Sequence, residues 1–213
     1  MILVGQYDSP FVRRVAVTLH HYHMPFERNT MSVFGDAARM QKINPLIRIP
    51  SLILQSGEVL IDSVAIVDCL DEMAGSARAL VPPHGLERRK VLQATALAQG
   101  AAEKAGQIAY ERFFHPGKSL SLEWEQRCLK QLSAGLKQLE SQCGAPWFFD
   151  MHMSHADVMT GCMIGYVKLR VPEAFPGAKY PKLHGLSLHC ELMAEFVASR
   201  ISPNETMLAK KKK

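Results

Sequence analysis

Hydrophobic and polar positions follow two different rhythms along this chain. In the first 75 residues, short apolar runs alternate with helical stripes. Residues 1–7 form an apolar run of strand character. Ser9-Pro10 then marks a helix start, because proline suits the first helical position. Phe11, Val12, Val15, Leu19 and Tyr22 recur at helical spacing behind it. Met24-Pro25 ends that helix, and residues 26–29 read as a second strand. Residues 36–43 read as a short helix closed by Asn44-Pro45. Residues 51–54 and 59–61 are brief apolar runs, joined by Gln55-Ser56-Gly57-Glu58, a hairpin signal with glycine in the turn. Asp62-Ser63 leads into Val64, Ala65, Ile66, Val67 and Leu70, an amphipathic helix. The order β-α-β-α-β-β-α predicts a mixed sheet with helices on both faces.

The rhythm changes after residues 74–83, a linker containing Gly75, Pro82 and Pro83. Long helical patterns cover residues 87–113, 122–143, 155–170 and 183–198. Pro116-Gly117, Gly144-Ala145-Pro146 and the proline-rich residues 172–181 separate them. An α/β domain is therefore expected over residues 1–75 and an all-helical domain over residues 86–203.

Composition adds mainly exclusions. Of the 213 residues, 47% are hydrophobic and 21% charged, which is ordinary for a chain that buries a core. Residues 210–213, all lysine, hold most of the formal net charge of +5 and read as a solvated end. The rest is nearly neutral, so no nucleic-acid partner is expected. No apolar stretch approaches the length of a membrane span, so no membrane partner is expected either. Residues 1–5 are apolar but lack a basic leader, and are not expected to be a signal peptide. The five cysteines form no C-x-x-C pair, which suits a reducing, cytoplasmic setting. His20, His21, His23, His152 and His155 do not have ligand spacing, and no metal is expected.

Three segments of the first half carry chemistry. Ser9 stands where a strand meets a helix N-terminus, a place that favours negative charge. Thioredoxins carry Cys-x-x-Cys at this junction; here the four residues are Ser9-Pro10-Phe11-Val12. A serine hydroxyl there either caps the helix or donates a hydrogen bond to a bound thiolate. In Asn44-Pro-Leu-Ile-Arg-Ile49-Pro50, a cis Pro50 at a strand start turns the Ile49 N–H and C=O outward for an extended peptide. A trans proline at a strand start is the alternative. In Asp62-Ser63-Val-Ala-Ile66, Ser63 offers a hydroxyl and N–H to a carboxylate, and Asp62 a charge to an ammonium group. Plain capping is again the alternative.

With these segments the chain resembles the cytosolic glutathione transferase family over nearly its whole length, and especially bacterial members with Ser-Pro-Phe-Val-Arg at the first helix. Ser154-His-Ala-Asp157 resembles the family's capping box, and Phe175-Pro…Tyr180-Pro-Lys-Leu183 its segment before a late helix. The resemblance implies a thioredoxin-like α/β domain followed by an all-α domain, in a homodimer. It implies glutathione as co-substrate, with no permanently bound cofactor. Ser9 becomes the thiolate stabiliser, with Phe11 in the same segment. Ile49 and Pro50 hold the cysteinyl backbone, Asp62 and Ser63 the γ-glutamyl end, and Arg48 the glycyl carboxylate. Many family members use a first-strand tyrosine instead. Tyr7 would share a strand face with Ser9, but Ser9 is preferred because it directly precedes Pro10. A small electrophile is expected against the first helix of the helical domain, near Gln107, Tyr110, Glu111 and Phe114. The competing functions are a glutathione-binding protein with little turnover and a glutathione-dependent reductase or peroxidase. The reductase normally needs a cysteine where Ser9 stands.

Overall fold

The computed structural model describes residues 1–117, 120–149, 152–202 and 205. Packing divides the described residues into two compact units, residues 1–79 with 193–202 and 205, and residues 80–192.

In the first unit the elements run β1 (Ile2–Val4), α1 (Pro10–His21), β2 (Glu27–Asn29), α2 (Ala37–Met40), β3 (Ser51–Ile53), β4 (Val59–Ile61) and α3 (Ser63–Ala74). The sheet order is β2-β1-β3-β4. β1 pairs parallel with β2, while the β1–β3 and β3–β4 pairs are antiparallel. This is the mixed, thioredoxin-like sheet that the alternation of apolar runs predicts. The strands are only three residues long, and β1 stops at Val4, not Tyr7. Tyr7 and Asp8 form a turn, closed by the Ser9 N–H donating to Gln6 O at 3.1 Å. The even-spacing rule that placed residues 7 and 9 on one strand face therefore does not apply.

α1 is buried on nearly every side. Val12, Val15, Ala16 and Leu19 are fully covered, as the periodicity requires, but so are Arg13 and Arg14. Arg13 finds acceptors in α8 (Ala194–Ala198) and just beyond it: Nε donates to Ser199 O at 3.0 Å and Nη2 to Phe196 O at 3.4 Å. These are carbonyls at a helix end, where a cation is favoured. Residues 193–202 and Glu205 thus pack with the first unit, whereas the hydropathy pattern alone assigns residues up to 203 to the helical half.

The second unit is helical: α4 (Gly85–Phe114), α5 (Leu122–Gln142), α6 (His155–Arg170) and α7 (Pro181–Leu192). The buried stripe of α4 runs Val91, Ala94, Thr95, Ala98, Ala101, Ala102, Ala105, Ile108, Ala109. These three- and four-residue steps put one face inward, and the small alanines admit α5 and α6 closely. α6 is buried almost throughout. Its N-terminus has the expected capping box. Asp157 Oδ2 accepts the Ser154 N–H and hydroxyl, both at 2.8 Å, and Oδ1 accepts the Phe148 N–H at 2.8 Å. One buried carboxylate thereby caps a helix and pins the preceding loop. In the segment before α7, Phe175 and Tyr180 are buried and stacked with centroids 5.5 Å apart. The single helix expected over residues 183–198 is broken at Met193, whose backbone is extended (φ −72°, ψ 148°). No breaker residue marks this point; the packing of α8 against α1 outweighs local helix propensity.

Candidate functional site

Ser9 is the N-cap of α1, with Pro10 at the first helical position. Its Oγ accepts the Val12 N–H at 3.4 Å, satisfying a donor that the helix leaves unpaired. Capping uses the oxygen lone pair and leaves the hydroxyl proton available to donate outward. Ser9 and Phe11 are both partly exposed. Tyr7 is 2% exposed, and the Arg28 guanidinium lies 3.5 Å from its ring centroid. Burial pushes its phenol above the ordinary value, with Arg28 partly opposing.

The second segment closes on the first through Gly5. A Cβ on Gly5 would stand 2.6 Å from Val12 Cγ2 and 3.0 Å from Ile49 Cβ, and its φ is +134°. Only glycine tolerates both that backbone and that contact. Ile49 is thus packed beside the start of α1. Buried Asn44 supports the loop from within: Nδ2 donates to Arg48 O at 2.9 Å, and Oδ1 accepts the Leu46 N–H at 3.0 Å. The Ile49–Pro50 peptide is cis. Among the described residues the Ile49 N–H and C=O have no hydrogen-bond partner. The Arg48 side chain is exposed.

The third segment opens α3. Asp62 is exposed, and its Oδ1 caps the helix by accepting the Val64 N–H at 2.8 Å. Its φ of 69° is uncommon for a residue with a Cβ, a strain that concentrates at ligand sites. Ser63 is 3% exposed, and its Oγ accepts from Arg14 Nη1 at 3.4 Å. Ser9, Ile49 and Ser63, distant in sequence, are thereby tied to one helix, α1.

Residues 3–78 match the glutathione S-transferase N-terminal domain, and residues 123–186 the C-terminal domain. The chain belongs to the glutathione S-transferase family. An uncharacterised glutathione S-transferase-like protein of Escherichia coli, YibF, is 27% identical, covering 95% of this chain and 98% of that protein. A glutathione S-transferase from Methylobacterium radiotolerans, solved with glutathione sulfonate, superposes with a TM-score of 0.87 at 25% identity over 93% of each chain. One from Methylobacillus flagellatus with glutathione bound gives 0.86 at 26% identity, covering 94% of this chain and 99% of that one.

In the helical unit, α4 carries Gln107, Tyr110, Glu111 and Phe114, the residues expected from the sequence near an electrophile. Tyr110 and Phe114 are exposed, with rings edge to face at 6.1 Å. Phe113, unmarked in the sequence reading, joins them at 5.0 Å from Phe114. Gln107 and Glu111 have internal tasks. Gln107 Oε1 accepts from Lys104 Nζ at 3.2 Å and from the Cys128 thiol at 3.3 Å. Glu111 Oε1 accepts the Ser121 N–H at 2.9 Å. Sequence reasoning also passed over Gly5, Arg14 and the brace made by Asn44. An arginine on the apolar stripe of α1 was the available signal for Arg14. Among the described residues no helix is long and apolar enough to cross a membrane.

Proposed function

We propose that the first unit binds glutathione and that Ser9 donates its hydroxyl hydrogen bond to the bound thiolate, making the chain a glutathione transferase. The observation that carries this reading is the convergence on α1 of Ser9, the unpaired Ile49 backbone and the Arg14-held Ser63. Ile49 offers a donor and an acceptor to the cysteinyl backbone, in the manner of an added strand. Ser63 and Asp62 offer a hydroxyl and a carboxylate to the γ-glutamyl ammonium and carboxylate, and Arg48 a cation to the glycyl carboxylate. Ser9 fits the thiolate role better than Tyr7, because Ser9 is partly exposed while Tyr7 is covered by Arg28.

The energetics are sufficient. A free thiol with a pKa of about 8.5 is only a few per cent ionised at neutral pH. Lowering it by about two units takes roughly 2.7 kcal/mol. A hydrogen bond to a charged group supplies about 1.5–3 kcal/mol, and the α1 N-terminus adds to it. The thiol proton leaves to solvent. The sulfur lone pair then forms a bond to an electrophilic carbon, which gives up a leaving group or a π pair. No covalent enzyme intermediate is required. The exposed rings of Tyr110 and Phe114, with Gln107 and Glu111 on neighbouring turns, are the surface assigned to a small apolar electrophile. A cytoplasmic homodimer belongs to the same reading, on the family's pattern.

The test is the thiolate absorbance of bound glutathione against pH. Ser9→Gly is the suited variant, since glycine costs an N-cap only a few tenths of a kcal/mol while removing the hydroxyl. The wild type should show a depressed thiol pKa that Ser9→Gly restores toward its free value. An undepressed pKa in the wild type would leave a glutathione-binding protein without turnover as the surviving reading.

A further inference from the structure

A carboxylate from the far end of the chain reaches the loop that carries Ser9. Glu205 Oε2 accepts the Tyr7 N–H at 3.2 Å and Arg28 Nη2 at 2.7 Å. The Glu205 side chain is 15% exposed, so water screens this pair only partly. Arg28 lies in β2 and stacks on the Tyr7 ring, so carboxylate, guanidinium and ring hold the loop together.

The Tyr7 N–H and the Gln6 C=O are two ends of one peptide group. The group is trans and planar, so its N–H and C=O point in opposite directions. The Ser9 N–H donates to that same Gln6 carbonyl at 3.1 Å. Glu205 thus grips one end of a rigid plate, and Ser9 hangs from the other. A carboxylate on the N–H also polarises the amide and strengthens its carbonyl as an acceptor.

We propose that Glu205 is a positioning residue for Ser9, acting through the Gln6–Tyr7 peptide. This rests on the reading of Ser9 as the thiolate's hydrogen-bond donor. A hydroxyl stabilises sulfur only when it is held within hydrogen-bond reach, and the plate fixes the backbone from which that hydroxyl projects.

The sign of the effect separates positioning from simple charge. Removing a carboxylate near a thiolate removes a like charge, which by itself lowers the thiol pKa. Loss of positioning raises it. In the full chain, Glu205→Ala should raise the pKa of bound glutathione by about half a unit to one unit, an about three- to tenfold loss of thiolate at fixed pH on the acid side. Glu205→Gln, which keeps a neutral acceptor, should fall between. Amide exchange at Ser9 should speed up in Glu205→Ala while amides of α6 stay unchanged, which also reports that the protein is folded. A lowered or unmoved thiol pKa together with unchanged Ser9 exchange would overturn the proposal. Ser9→Gly is run in parallel. Should it leave the thiol pKa unmoved, the thiolate reading fails, and the exchange measurement alone decides whether Glu205 holds Ser9.

Discussion

Arg14 Nη1 donates a hydrogen bond to Ser63 Oγ at 3.4 Å, joining the middle of α1 to the first residue of α3. Both side chains are buried. The bond orients the serine oxygen and leaves its proton to donate elsewhere. Ser63→Ala should therefore weaken glutathione binding about tenfold, the equivalent of one hydrogen bond to a charged group. Titration calorimetry, or retention on immobilised glutathione, measures this. Undiminished binding would remove Ser63 from the site. Arg14→Met should cost stability as well, because it takes a buried donor from its acceptor.

Gly5 keeps Ile49 against the start of α1. In Gly5→Ala the new Cβ meets Val12 Cγ2 at 2.6 Å on a backbone with φ of +134°. The overpacking should cost about 1–3 kcal/mol in urea unfolding. It should also lower glutathione affinity, by moving the Ile49 backbone. A variant as stable as the wild type would show that the loop yields without cost.

Glu195 ties α8 to α1 through His21 Nδ1 at 3.0 Å. Burial opposes ionisation of this carboxyl. The His21 hydrogen bond, a backbone donor and the charges of His21 and His23 outweigh it and hold the carboxyl below its ordinary range. A depressed carboxyl adds stability above its unfolded pKa of about 4.3 and loses it as pH falls through the folded value. The stability difference between wild type and Glu195→Gln should be full near pH ~5.5, above the unfolded value, and shrink as pH falls through the depressed folded value. Urea denaturation across that window checks it. A difference that persists in acid would assign the contact to packing and not to charge.

The five cysteines, all among the described residues, form no disulfide, and four are buried. Burial, with Asp157 and Glu140 adding, pushes the Cys143 thiol up to about 12. Only half-buried Cys69 is open to solvent. A chromogenic thiol reagent should label Cys69 alone in the native protein near pH 8 and all five after denaturation. Early labelling of Cys143, read by mass spectrometry, would contradict the packing of the loop before α6.

Capping signals were legible because they are short-ranged. Ser9 caps across three residues, Asp62 across two, and Ser154 with Asp157 across three. Apolar spacing likewise marked α1, α4, α5 and α6 to within a few residues, because helical periodicity is local. The strand extent was less legible. β1 ends at Val4 because its partners β2 and β3 are three residues long, and ladder length is a property of the pair.

Sequence alone determined the two-part organisation, the order of the elements, and the residue types of the three segments that meet at α1. Each follows from interactions between near neighbours in the chain. Tertiary structure decided which of those residues meet. It set Arg14 on Ser63, Gly5 against Ile49, and Glu205 on the peptide that holds Ser9. It also turned the chain at Met193, where helix-forming residues give way to the packing of α8 against α1. These contacts join residues far apart in sequence, and no local preference encodes them. They form because buried donors and apolar faces must find partners wherever the fold supplies them.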